Sequence, residues 1–69
     1  MTKKHFVSIA AILRIHLDIA ETAHERAMIA NLSRNLAHEF AQINRNFSYQ
    51  TFYTAIGLTP SGYIKEHVA

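Results

Sequence analysis

Two runs of apolar residues recur at helical spacing, and no glycine or proline separates them. In the first, Phe6, Ile9, Ala10, Leu13 and Leu17 share one stripe, while Ile12, Ile15 and Ile19 form a second stripe on roughly the opposite side. In the other run, Ile29, Leu32, Leu36, Phe40 and Ile43 repeat at intervals of three and four, the period of an amphipathic helix. Carried through the junction at 100° per residue, the second run sits roughly 110° away from the first. One straight helix would therefore have no single side to bury. A turn near Ala20 to Thr22 resolves this, and so short a connection makes the two helices antiparallel neighbours.

Local signals set the boundaries. The first helix is expected from about Lys3 to Ile19, with Thr2 as its N-cap. "TAHE" at Thr22 to Glu25 reads as a capping box, in which the Thr22 hydroxyl accepts from the Glu25 amide and Glu25 reaches back to the Thr22 amide. That helix can run to about Asn44. Ser48 caps a third helix, and Phe47 and Phe52 are spaced as a hydrophobic staple across its start. Gly57 suits the left-handed residue that ends it. Thr59 as N-cap with Pro60 at the first helical position would open a short fourth helix, although Gly62 weakens it and leaves a frayed tail as the close alternative.

The expected fold is therefore all-α: a small bundle of three helices, with the fourth short helix as a variant, built on an antiparallel pair. Residues 1–58 form a single helical domain, and 59–69 a short C-terminal helix or tail. Phe6, Leu13, Leu17, Leu32, Leu36, Phe40, Ile43, Phe52 and Ile56 are the expected core.

With 69 residues, such a chain buries only ~60% of the surface its unfolded form exposes. It has no cysteine, so disulfides and thiolate metal sites are excluded, and self-association or close helix packing must supply the support they would give. The second stripe of the first helix gives self-association a place, and Ile12, Ile15 and Ile19 are the expected homodimer interface. The competing arrangement has the third helix and the "YIKEHV" tail covering that stripe within one chain.

"MTKKHFVSIAAIL" imitates a secretory leader, but Arg14, His16 and Asp18 interrupt the apolar run and no small-residue cleavage site follows closely. The run is too short to span a bilayer, so the expectation is a cytoplasmic protein that does not act at a membrane.

The sequence Ala-His-Glu-x-Ala occurs twice, at Ala23–Ala27 and Ala37–Ala41. A helical zinc hydrolase site needs His-Glu-x-x-His, because two ligands must stand one turn apart on one face. Met28 and Gln42 occupy the final position of the two copies, so both fail. Fourteen residues along a helix is ~21 Å, too far for one ion to join the copies. A histidine site assembled across chains, from His5, His16, His24, His38 and His67 in a dimer, is the one metal arrangement left open. No carboxylate pair, Ser-His-Asp set or glycine-rich phosphate loop is present. The expectation is no enzyme, no metal, no cofactor and no small-molecule substrate.

Net charge is +2, too small for a dedicated nucleic-acid arm. Arg34, His38 and Arg45 nevertheless lie close in angle opposite the apolar stripe of the second helix, with Arg26 at the margin. Lys3 and Lys4 stand in the first turn of the first helix, where the dipole disfavours cations. Lys3, Lys4, Arg34, His38 and Arg45 are thus the candidate contacts for a protein or nucleic acid, set against the plainer reading that charges face water.

The opening T-K-x-H-F-x-x-I-A at Thr2 to Ala10, with Leu13, and the close N-x-x-F-x-x-x-x-F-x-x-A-x-G at Asn44 to Gly57 resemble a family of short proteins carried by bacteriophages, plasmids and other mobile elements. Arg45 stands where that family usually has Pro, Ser48 where it has Asp, and Thr51 where a basic residue is common. The likeness covers about half the chain, and its motifs are mostly caps, a staple and core positions. It implies origin on a mobile element and a small non-catalytic protein that engages a host or phage protein, inhibition of a host defence complex being one such role. "FSYQTFYTAIGLTPSGYIK" also resembles the end of arabinose-activator-type helix-turn-helix regulators, matching at Phe47, Ser48, Gly57, Thr59, Pro60 and Tyr63. The stretch from Phe52 to Gly57 is about one helical turn too short for that family, and its second motif is missing. This likeness supports only the alternative of a weak DNA-binding accessory factor using the basic helix face.

Overall fold

The computed structural model describes residues 3–65. Within them lie three helices and no strand: α1 (Lys3–Ile19), α2 (Ala23–Ile43) and α3 (Tyr49–Ile56). The expected N-cap Thr2 lies outside the described residues.

The turns form as their side chains dictate. Thr22 is extended and its hydroxyl accepts from the Glu25 amide at 3.1 Å, while Glu25 Oε1 accepts from the Thr22 amide at 3.1 Å. The Arg26 guanidinium donates to the Ala20 carbonyl at 3.3 Å, satisfying a group the end of α1 leaves open. After α2, Asn44 turns extended and its side-chain carbonyl accepts from the Asn46 amide at 3.0 Å. Ser48 Oγ then caps α3 by accepting from the Thr51 amide at 3.2 Å. Gly57, at φ 99°, ends α3 in the left-handed region, and the Leu58 amide donates back to Tyr53 at 3.0 Å.

α1 and α2 are antiparallel: Phe6 near the start of one meets Phe40 near the end of the other, and Leu17 shares a depression with Ala23 and Ala27 at the opposite end. α1 lies more closely against α3 than against α2. Phe6, Ala10, Leu13, Phe40, Phe52 and Ile56 are buried, and Leu17 and Leu36 are half-buried against them.

Two expected core residues are not in it. Leu32 is 49% exposed and Ile43 56% exposed, whereas α2 buries Ala30, Ser33, Ala37 and Phe40. At 100° per residue this buried face is rotated roughly 80° from the stripe of large residues. The reason is steric. Small side chains let α2 approach its neighbours closely, and Ser33 joins them because its hydroxyl donates to the Ile29 carbonyl at 2.7 Å and leaves no polar group unmet.

The short fourth helix does not form among residues 59–65. Thr59 Oγ1 instead accepts from the Tyr63 amide at 3.1 Å, the Thr59 amide donates to Tyr63 O at 2.8 Å, and Gly62 turns left-handed at φ 87°. A hydroxyl that could cap a helix closes a tight turn here, because Gly62 supplies the conformation that reverses the chain. Leu58 is 1% exposed and Ile64 packs on the core, so this segment straps the bundle. Residues 66–69, including the second half of the tail proposed to cover the isoleucine stripe, lie outside the described residues.

Candidate interaction surfaces

The strap builds the first surface. The Arg34 guanidinium donates to the Gly62 carbonyl at 2.7 Å, and its carbon sits 4.3 Å from the centre of the Tyr63 ring. Nη2 of the same group points to Asn31 Oδ1 at 3.4 Å. A Cβ on Gly62 would stand 2.8 Å from the Tyr53 ring and 3.0 Å from Arg34, so only glycine lets the strap seat here. Tyr49 lies 6.2 Å from Tyr53, centre to centre. Burial pushes the Tyr53 hydroxyl above its ordinary value, and the neighbouring Tyr49 adds to this. Arg34 and the 57%-exposed Tyr63 thus form a ledge, with the buried Tyr53 beneath it and the exposed Tyr49 on the far side of Tyr53.

The basic residues singled out from the sequence divide. Arg34 is half-buried and committed to the strap. His38 is exposed one turn further along α2. Arg45 is exposed too, but α2 ends at Ile43, so Arg45 stands in the turn and the angular argument does not reach it. Lys3 and Lys4 are exposed at the start of α1. Lys3 borders a groove of about 340 Å³ with Asn44, Asn46 and Thr51, over a floor that includes Phe6, Phe47 and Phe52. Lys3 and the Arg45 turn therefore share one end of the bundle, apart from Arg34. Sequence reasoning gave the tyrosines no site role, and Tyr63 entered it only as a matched position of the helix-turn-helix likeness and as part of the tail. Tyr63 meets Arg34 across 29 positions, a juxtaposition no periodic pattern encodes.

The second surface is apolar. Ile12, Ile15 and Ile19 are 55%, 59% and 67% exposed. α3 packs against the opposite flank of α1, where Val7 and Ala10 border the groove, and no described residue covers the stripe. On α2, Met28 and Leu32 are exposed beside the half-buried Ile29 and Leu36. This is the flank away from Arg34, so the two surfaces lie on different sides of α2.

Among the described residues no three His, Asp or Glu side chains gather as a metal site, and no helix is long and apolar enough to cross a membrane. His67 lies outside them. Comparison with protein families, curated proteins and solved structures gave no match.

Proposed function

We propose that this chain is a non-catalytic binding protein whose Tyr–Arg ledge engages a protein partner. The observation that carries this reading is the Arg34 guanidinium, fixed by Gly62 and stacked on the exposed Tyr63. Tyrosine and arginine dominate the energetics of protein interfaces, because each combines broad apolar contact with hydrogen bonding. A cation already immobilised loses little further freedom on binding. His38, exposed one turn further along α2, adds a polar nitrogen-bearing side chain beside Arg34, which favours a partner that presents carboxylates. The family resemblance supports a host or phage protein in the cytoplasm as the partner and a mobile element as the origin, with a host defence complex as a candidate target.

The test is affinity capture from host lysate with the wild-type chain and with two variants, Tyr63→Ser and His38→Glu, that keep the wild-type circular dichroism. A band lost with both variants supports the ledge. A band indifferent to both removes it.

A second reading rests on Lys3, Lys4 and Arg45, exposed cations in the first turn of α1 and in the α2–α3 turn. They suit weak DNA binding, with Arg34 as a further contact only if the strap releases it. Phosphate contacts lose affinity steeply as salt rises. Nanomolar gel-shift binding that persists at moderate salt would replace the first reading with this one.

A further inference from the structure

We propose that the groove between α1, α3 and the turn joining α2 to α3 binds a small amphipathic carboxylate, an acid group on a short hydrocarbon tail. This goes beyond the partner-binding reading and uses a different part of the bundle from Arg34 and Tyr63.

The floor selects the tail. Phe6, Phe47 and Phe52 line the groove, and Phe47 holds the other two through ring contacts at 5.0 and 5.4 Å. Phe40 backs all three. A floor already packed asks little reorganisation of the protein when a ligand arrives. A volume of about 340 Å³ stands at the small end of ligand pockets, a size for one tail rather than a length of peptide.

The rim selects the head group. Lys3 is the one charged residue that borders the groove, and no Asp or Glu does so among the described residues. Asn44 Oδ1 is occupied by the Asn46 amide at 3.0 Å, which leaves the Asn44 NH2 group as the open end of that side chain. Ser48 Oγ donates to Thr51 Oγ1 at 3.0 Å, so the Thr51 hydroxyl keeps its own proton to donate. Arg45, exposed between Asn44 and Asn46, adds a second cation at the same end. An ammonium, an amide and a hydroxyl around an apolar floor complement a carboxylate carried on a tail. A cationic head would meet Lys3 and Arg45. A nucleic-acid phosphate would use the rim and leave the three rings without contact.

Titration of the full chain with octanoate, followed by amide NMR shifts, tests this. Saturable shifts are expected at Phe47, Thr51 and Ala55 and not at Ile15 or Ile19. Affinity should rise about two- to fourfold for each methylene from butanoate to octanoate. Octylamine, with the same tail and the opposite charge, should bind about tenfold more weakly, and Lys3→Glu should weaken octanoate to a similar degree. Ala55→Trp, at an exposed position on the groove wall, should abolish binding. Lys3 is exposed in the first turn of α1, so Lys3→Glu decides the question even if Ala55→Trp does not fold. Shifts that centre on the isoleucine stripe, or that persist in a folded Ala55→Trp, overturn the site. Octylamine bound as tightly as octanoate, or Lys3→Glu without effect, overturns the choice of an acid. Short duplex DNA that moves the groove resonances where octanoate moves none gives the rim to phosphate and overturns the proposal. Tyr63→Ser should bind octanoate as the wild type does, which separates the fate of this inference from that of the ledge.

Discussion

The Phe6 and Phe40 rings lie 5.0 Å apart, tilted at 46°, and this contact fastens the start of α1 to the end of α2. Phe47 stands 5.0 Å from Phe6, and Phe52 stands 5.6 Å from Phe40, so all four phenylalanines form one cluster at that end. Phe40→Ala is expected to cost ~3–5 kcal/mol, read from urea unfolding. A double-mutant cycle with Phe6→Leu should return a coupling of ~0.5–1.5 kcal/mol, the contribution of a ring pair beyond its area. Additive effects would mean that the two rings do not sense each other.

The rotation of α2 makes a paired prediction. Ala37 is fully buried, and enlarging it to Leu should destabilise by ~1–3 kcal/mol through overpacking. Leu32→Ala should change stability by less than ~1 kcal/mol when measured in the Ile15→Glu background, where association does not contribute. If thermal melts ranked the two the other way, the large-residue stripe would be the buried one.

Gly62 is held at φ 87° with the Tyr53 ring where a side chain would go. Gly62→Ala should therefore cost ~1–3 kcal/mol from the backbone alone and unseat the strap. Amide exchange at Thr59 and Tyr63, whose amides donate within the strap's turn, is the measurement. Protection that survived the substitution would contradict the seating.

The start of α2 should respond to pH. Hydrogen bonds from Thr22 hold the Glu25 carboxyl below its ordinary value of 4.5. A group with a lowered folded value contributes stability above its unfolded value and loses it as pH falls through the folded one. Glu25→Gln should thus flatten part of the decline in stability below about pH 4.5, whereas Thr22→Ala should cost ~0.5–2 kcal/mol at neutral pH. Identical acid limbs for wild type and Glu25→Gln would refute the cap's role in that decline.

What the sequence made legible was what short range decides. Thr22, Ser48 and Gly57 act within a turn of their own positions, so their caps and the three helices could be read directly. The buried face of α2 could not. Ala30, Ser33 and Ala37 carry almost no hydrophobic signal, and a periodicity weighted by side-chain size follows Leu32 and Ile43. In this core, how closely backbones approach matters more than how large the side chains are. The candidate surfaces divide along the same line. The isoleucine stripe was visible as a pattern on one helix. The ledge depends on a chain reversal at Gly62 that brings Tyr63 to Arg34, and only the basic half of that pair drew notice in advance.

The tyrosines continue the phenylalanine cluster, Tyr49 against Phe47 and Tyr53 against Phe52, and Tyr63 alone stands on the strap. With no tryptophan in the chain, ultraviolet emission comes from Tyr49, Tyr53 and Tyr63 alone. The native protein thus carries an optical reporter of its own. A partner seated on the ledge desolvates Tyr63, the most exposed of the three, and alters its emission without any label. An association through Ile12, Ile15 and Ile19 leaves Tyr63 in water and the signal unchanged, so one cuvette distinguishes the two kinds of association.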